Sequence, residues 1–119
     1  VDIHAAYMFE YGYGKVAMMS SSYSVDMPHE AVICGTEGYI KVPDFFHPTQ
    51  FSIHLHGKEE KVVRIPFESN GLNYQAREVN KCLREGKLES DIMTLDESLE
   101  IMKTLDALRA EWGLSYPME

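Results

Sequence analysis

The hydrophobic pattern of this chain changes its period once, near Phe67, and this change constrains the fold more than any other feature. Before Phe67, apolar and polar residues alternate in short runs, which is typical of β-strands, and the short turns between the runs predict antiparallel pairing. After Phe67, apolar residues recur every three or four positions, which predicts helices. The order of the elements therefore predicts an α+β fold. In it, a predominantly antiparallel sheet of about six strands carries two C-terminal helices packed on one face.

The boundaries of these elements follow from local turn and capping residues. Glycines within 12–14 and the stretch GTEG at 35–38 predict hairpin turns, because glycine adopts a positive φ without strain. Gly86 is a typical residue to follow the first helix. The second helix is expected to start at the capping box that begins with Thr94 and to end at Gly113. The predicted strands are 1–11, 15–23, 30–35, 39–42, 50–57 and 61–66. The apolar stripe of the first helix is formed by Leu72, Ala76, Val79, Cys82 and Leu83. The apolar stripe of the second helix is formed by Leu95, Leu99, Met102, Leu105, Leu108 and Trp112.

The composition of the chain argues against nucleic acid and membranes as its partners. The chain has 119 residues, 11 basic and 19 acidic, for a net charge of −8, so clustered contacts to nucleic-acid phosphates are not expected. No apolar run reaches the ~20 residues that cross a bilayer, so no membrane is expected either. Cys34 and Cys82 are expected to be buried free thiols, which favours a cytoplasmic protein. Because the chain opens within a strand pattern and without Met, residues 1–119 are expected to form one domain of a longer polypeptide.

No complete catalytic or metal-binding motif is present in the sequence. The turn GYG at 12–14 lies between two strands, not between a strand and a helix, so it does not predict phosphate binding. His54 and His56 share a strand face and could ligate a metal together with His47 or His29, but solvated imidazoles are the favoured interpretation. Alternation in the fifth strand places Phe51, Ile53 and Leu55 inward and Ser52, His54 and His56 outward.

Aromatic residues at the ends of elements are the strongest sign of a site. Phe45, Phe46, Phe67 and Tyr74 lie in loops and at junctions, where they either plug the edge of the sheet or form the wall of a pocket. A second set of large residues lies on the first two strands and exceeds what two helices can cover, which predicts a symmetric dimer through the open face of the sheet. That set is Tyr7, Tyr11, Tyr23, Met8, Met18 and Met19.

Four stretches carry a resemblance to a known family: GTEGYIKVP with the later PT, FESNGLNYQAREVNKCLREGKLES, LDESLEIMKTLDALR and GLSYP. Together they resemble the C-terminal domain of the Gfo/Idh/MocA oxidoreductases, in particular the dihydrodiol dehydrogenase and glucose–fructose oxidoreductase branch. The resemblance implies an upstream Rossmann domain that binds NAD or NADP and carries the catalytic lysine. The family's catalytic motifs do not occur here. The chain alone is therefore expected to be inactive, with no catalytic, cofactor-binding or metal-binding residue.

The same resemblance implies a substrate site. Phe46 and Phe67 match aromatic positions that line the substrate pocket in dihydrodiol dehydrogenases, and Tyr74, one turn into the helix, is a further candidate. The expected function is thus substrate binding and dimerisation within an NAD(P)-dependent oxidoreductase that acts on a sugar, polyol or diol. The expected partners are the upstream Rossmann domain, that small molecule and a second copy of the chain. The alternative is a stand-alone dimerisation or scaffold module without a small-molecule site; a sugar-responsive regulator is a third possibility.

Overall fold

The structure is a computed structural model that describes residues 3–116. The chain divides into two compact units, one formed by Val1–Asp26 with Arg77–Glu119 and the other by Met27–Ala76. Val1, which the sequence places at the start of the first strand, lies outside the described residues.

A hairpin forms the β-structure of the first unit. Strand β1, His4–Tyr11, pairs antiparallel with β2, Lys15–Ser22, and the predicted turn at Gly12–Gly14 connects them. The predicted alternation in β1 is confirmed, since Ala5, Tyr7 and Phe9 are half-buried and the residues between them are exposed. The rings of Tyr7 and Phe9 lie 5.5 Å apart on the same face. Tyr7 also lies 6.0 Å from the ring of Trp112, which follows the second helix.

The second unit contains an antiparallel sheet of four strands in the order β3-β4-β5-β6. The strands are β3 Glu30–Gly35, β4 Gly38–Pro43, β5 Gln50–Leu55 and β6 Lys61–Arg64. Gly38 begins β4 with φ of 154° and faces Leu55 across the ladder. A Cβ at position 38 would collide with the backbone carbonyl oxygen of His54, so the close approach of β4 and β5 depends on glycine at this position.

The two helices lie where the change of period predicts them. Helix α1 spans Asn73–Arg84 and α2 spans Leu95–Glu111. The predicted N-cap is confirmed, because the Thr94 hydroxyl accepts a hydrogen bond of 3.1 Å from the backbone N–H of Glu97. Within residues 3–116, no helix is long and apolar enough to cross a membrane.

The α+β class and the six strands are confirmed, but the strands form two sheets, one of two strands and one of four. The register shows how the large residues of this hairpin are distributed between its faces. Met8 pairs with Met18, whereas Tyr7 pairs with Met19, and consecutive residues of a strand point to opposite faces. The set is therefore divided between the two faces of the hairpin.

Within the predicted stripe of α1, Cys82 is buried but the larger apolar residues are exposed. Leu72, Val79 and Leu83 are 56%, 58% and 70% exposed, whereas Cys82 is 8% exposed. Cys82 is buried because the chain after α1 folds back over it, held by the Ser90 hydroxyl, which donates to Glu78 one turn before Cys82. Both thiols are free, but Cys34 is exposed, which corrects the expectation that both are buried. Cys34 lies on β3, an edge strand of its sheet.

Candidate functional site

The loop between β4 and β5 presents the first candidate residue, Phe46. The loop turns sharply because Asp44 has a left-handed φ of 48° and the backbone N–H of His47 donates to the Asp44 carbonyl at 2.8 Å. The N–H of Phe45 donates to the carbonyl of His29, which ties the loop to the chain just before β3. Two prolines, one at each end of this loop, restrict its backbone further. The loop is thus a defined turn that holds its aromatic side chains in fixed positions.

The aromatic side chains of this loop form a platform that faces solvent. Phe45 and Phe46 stack with ring centroids 4.3 Å apart, and the ring of His29 meets Phe46 edge-to-face at 5.2 Å. Phe46 is nevertheless 65% exposed and Phe45 is 45% exposed. A residue that plugs the edge of a sheet would be largely buried, so these exposures do not fit the plug, and the pocket wall stays a prediction.

The second candidate, Phe67, stands at the junction between β6 and α1. The junction turns through Ser69, which has a left-handed φ of 53°, and through Gly71, whose N–H donates to the Glu68 carbonyl at 3.0 Å. The third candidate, Tyr74, closes this turn, because its hydroxyl accepts a 3.0 Å hydrogen bond from the backbone N–H of Glu68. Tyr74 therefore holds the backbone beside Phe67 and is itself 46% exposed.

The loop and the junction contact each other, and the backbone N–H of Ile65 donates to the Thr49 carbonyl at 2.8 Å. The ring of His47 lies 6.5 Å from the ring of Phe67, tilted by 57°. The structure thus places His47, the neighbour of Phe46 in the chain, near Phe67, and bonds Glu68, the residue after Phe67, to Tyr74. Asp44 and Ser69, the two left-handed residues that shape these segments, are not glycines, and strained backbone of this kind clusters at functional sites.

Two imidazoles complete this neighbourhood, and the sequence did not assign them to it. His47 adjoins Phe46 in the chain, so its proximity could have been inferred from position alone. His29 lies 17 residues earlier than Phe46, and no local pattern predicts their edge-to-face contact. In the part of the chain that the structure describes, neither imidazole has a hydrogen-bond partner among the side-chain hydrogen bonds.

An open groove of about 370 Å³ lies over β4, β5 and β6. The prediction that Ser52 and His54 point outward to solvent is wrong: Ser52 is 9% exposed and His54 is half-buried, because Tyr39 stacks on the His54 ring at 4.3 Å. The Ser52 hydroxyl lies 2.7 Å from His54 Nε2, and Glu60 approaches that same nitrogen at 3.3 Å. A serine–histidine–carboxylate relay requires the two partners on different ring nitrogens, so this trio is not a nucleophilic triad.

The metal alternative gains no support. Within residues 3–116, no group of three or more His, Cys, Asp or Glu side chains is placed to hold a metal ion. His54 instead bonds to Ser52 and stacks on Tyr39.

A polar cluster fixes the end of α1. The Ser90 hydroxyl donates to Glu78 at 2.7 Å and the Cys82 thiol donates to the same carboxylate at 3.5 Å. The hydrogen bond from Ser90 is the main reason that the pKa of Glu78 is lowered, and burial is the main reason that the pKa of Cys82 is raised. Lys87 bonds to Asp91 at 2.6 Å, which raises the pKa of Lys87 to about 12. All these groups have partners within the cluster, which therefore holds the turn after α1 together.

Two glycine-containing turns among residues 3–116 lack the features of a nicotinamide dinucleotide site. A dinucleotide site needs a glycine-rich turn that runs from a strand into a helix, so that helix N–H groups meet the pyrophosphate. The turn Gly12–Gly14 joins β1 to β2, and the junction before α1 carries the Glu68 carboxylate, which would repel a phosphate. Within the described residues, no step of hydride transfer can therefore be assigned to this chain.

Comparison with known proteins gives a consistent set of relatives. The chain is 34% identical to the trans-1,2-dihydrobenzene-1,2-diol dehydrogenase of Xenopus tropicalis and 33% identical to that of Xenopus laevis, in each case over 98% of the chain and 37% of the relative. It is 26% identical to the scyllo-inositol 2-dehydrogenase (NADP(+)) IolU of Bacillus subtilis, over 100% of the chain and 36% of the relative. No family model matches the chain.

The chain thus spans little more than a third of the length of these relatives. They are dehydrogenases that share similarity with nearly all of its residues. The resemblance to the dihydrodiol dehydrogenase branch of the Gfo/Idh/MocA oxidoreductases is therefore confirmed, and the match is consistent with a C-terminal domain of that type.

Proposed function

We propose that this chain, which resembles the dihydrodiol dehydrogenases, is the substrate-binding and dimerisation domain of an NAD(P)-dependent oxidoreductase that acts on a diol, polyol or sugar. The observation that carries the proposal is the exposed aromatic platform at Phe46, which meets Phe67 through His47. The nucleotide and the reacting groups belong to an upstream Rossmann domain in this proposal. The chain alone is inactive.

The proposed substrate class rests on the exposed aromatic rings of the platform and on the two alcohols after which the relatives are named. Trans-1,2-dihydrobenzene-1,2-diol and scyllo-inositol are both six-membered carbon rings with hydroxyl groups on adjacent carbons. Such a ring offers a flat apolar face, and the exposed faces of aromatic side chains bind apolar surface of this size. Phe46 and Phe67 supply the wall in the proposed site.

The contribution of this domain to the reaction is geometric. The left-handed residues Asp44 and Ser69 shape the two segments, and the hydrogen bond from the N–H of Ile65 to the Thr49 carbonyl joins them. A wall that is already ordered before binding lowers the entropy cost of placing the reacting carbon beside the nicotinamide. Tyr74 has a positioning role in this proposal, since its hydroxyl fixes the turn that presents Phe67.

Dimerisation through the β1–β2 hairpin rests on its exposed apolar residues. Met8, Val16 and Met18 lie on one face of the hairpin and are 63%, 54% and 80% exposed. Methionine-rich apolar surface of this kind is typical of interfaces between subunits. A second copy of the chain would cover this face in a symmetric dimer.

The proposal is tested by turnover of the full-length protein. Purified protein is assayed with NAD⁺ and with NADP⁺ against trans-cyclohexane-1,2-diol, scyllo-inositol and D-glucose, following reduced nucleotide at 340 nm. Reduction of one nucleotide with at least one of these alcohols is expected. A protein that forms a stable dimer but reduces neither nucleotide would refute the oxidoreductase proposal and favour the scaffold alternative.

The dimer is tested separately by light scattering after gel filtration. Met18→Ser removes the most exposed residue of the proposed interface and is expected to shift the protein towards the monomer. The matched control is Leu83→Ser, at a residue that is 70% exposed on α1 and outside the hairpin. Equal masses for Met18→Ser and the wild type across a dilution series would argue against this interface.

A further inference from the structure

We infer that His47 is a specificity-determining residue that hydrogen-bonds a hydroxyl group of the substrate beside the one that is oxidised. The inference rests on the proposed function, because it needs the aromatic wall at Phe46 and Phe67 to be the substrate side. It goes beyond that function because it assigns the recognition of a second hydroxyl group to one side chain. That side chain would make the enzyme prefer vicinal diols to simple alcohols.

The position of His47 carries the first part of the argument. His47 follows Phe46 directly, and its ring lies 6.5 Å from the ring of Phe67, so the segment that carries Phe46 places an imidazole near Phe67. Its backbone is fixed, because its N–H donates to the Asp44 carbonyl at 2.8 Å. A carbon ring that binds against Phe67 can then direct one of its hydroxyl groups to this imidazole.

The chemistry of the imidazole carries the second part. A neutral imidazole offers one N–H donor and one nitrogen acceptor, which match the donor and acceptor of an alcohol. His47 is exposed, and none of the side-chain hydrogen bonds among residues 3–116 uses its ring nitrogens. His54 differs in this respect, because its Nε2 is already engaged by Ser52. His47 is thus available to a ligand, where His54 is not.

The proposed walls are apolar, and two polar side chains of the junction already have partners, Tyr74 with the N–H of Glu68 and Glu68 with Asn73. The imidazole is therefore the source of discrimination in this inference. Phe45, Phe46 and Phe67 bind a ring whether it carries one hydroxyl group or two. Only a polar group at the wall distinguishes them, because a hydroxyl that is desolvated without a partner weakens binding. His29 meets the ring of Phe46 edge-to-face at 5.2 Å, whereas His47 is the imidazole near Phe67.

The test compares two probes in the full-length protein, trans-cyclohexane-1,2-diol and cyclohexanol, which differ by one hydroxyl group. The measured quantity is the ratio of their kcat/KM values. His47→Phe keeps a ring of similar size and removes both hydrogen-bonding atoms, so the preference for the diol is expected to fall ~3–10-fold, the worth of one hydrogen bond. The loss is expected mainly in the KM for the diol, since the bond forms in the ground state as well as in the transition state.

Two further variants separate recognition from a structural role. His47→Gln restores a donor and an acceptor and is expected to recover most of the preference for the diol, which a merely structural defect would not allow. His56→Phe changes an exposed imidazole away from the aromatic platform and is expected to leave the ratio as in the wild type.

The outcomes for this inference and for the proposed function are distinguishable. If the wild type oxidises the diol and His47→Phe leaves the ratio unchanged, the inference about His47 is overturned and the proposed function stands. If His47→Gln fails to recover the preference that His47→Phe loses, the hydrogen-bonding role is overturned as well. If the wild type oxidises neither probe, both the proposed substrate class and this inference fall.

Discussion

Replacing Gly38 with alanine tests whether the four-stranded sheet has the arrangement described here. A Cβ at position 38 would overlap the carbonyl oxygen of His54 and lie 2.9 Å from the Cα of Leu55, and all the atoms it meets are backbone. Backbone cannot rotate away as a flexible side chain can, so β4 and β5 must separate locally. The cost is about 1–3 kcal/mol for overpacking. A further cost of about 1–3 kcal/mol arises because φ of 154° is a conformation that only glycine adopts readily.

Two other glycines provide matched controls. Gly57 has φ of 69° but open space around its Cα, so Gly57→Ala is expected to lose only about 1–2 kcal/mol, for the left-handed backbone. A Cβ at Gly35 would make an ordinary contact at 3.8 Å, so Gly35→Ala is expected to change stability by less than about 1 kcal/mol, in either direction. The three variants thus form a series that separates the clash from the backbone conformation.

The assay is thermal unfolding of the full-length protein by calorimetry under one set of conditions. The midpoint is expected to fall least for Gly35→Ala, more for Gly57→Ala and most for Gly38→Ala. If Gly38→Ala unfolds at the same temperature as Gly57→Ala, the strands do not approach as described and the reasoning is refuted. A variant too unstable to purify is compared by the yield of soluble protein, where the same order is expected.

Three further predictions concern the helices and the thiols. Ser90→Ala removes the main cause of the lowered pKa of Glu78, so the carboxyl carbon of Glu78 should titrate at higher pH in an NMR experiment; an unchanged midpoint would exclude that hydrogen bond. Because the folded pKa of Glu78 is depressed, its contribution to stability is present above the unfolded pKa and is lost as the pH falls through the folded pKa. Cys34 should react with a maleimide in the native protein while Cys82 reacts only after unfolding, because burial raises the pKa of Cys82; equal rates would contradict this. Thr94→Ala should lower the free energy of unfolding by ~1 kcal/mol and Thr94→Ser by much less, as measured by denaturant titration; equal losses would show that the hydroxyl does not cap α2.

The features that follow from neighbouring residues could be predicted from the sequence. The turn at Gly12–Gly14, the turn before Gly38 and the N-cap at Thr94 each depend on residues within four positions, and the structure has all three. Six strands and two helices follow from the change of period near Phe67. The division of the strands into two sheets does not, because periodicity defines a strand without identifying its partner.

Contacts between distant residues account for the predictions that were wrong. The alternation of polar and apolar residues predicted that His54 lies on a solvated face, but the ring of Tyr39 in the neighbouring strand covers it. Cys82 is buried while the leucines of the same helical stripe are exposed. This difference depends on the hydroxyl group of Ser90, eight residues later in the chain. At the candidate site, Phe46 and Phe67 were identified through the resemblance, whereas the contact of His29 with Phe46 joins residues that no local pattern connects.

The central claim is tested most directly with the full-length protein that carries both Phe46→Ala and Phe67→Ala. The measured quantities are the KM for the diol and the KM for the nucleotide. If these residues form the substrate wall, the KM for trans-cyclohexane-1,2-diol rises by about 5- to 150-fold, from the loss of two aromatic contacts worth ~0.5–1.5 kcal/mol each. The KM for the nucleotide and the mass of the protein in solution then stay as in the wild type. A raised KM for the nucleotide with an unchanged KM for the diol would contradict the account, because it would place these residues on the cofactor side.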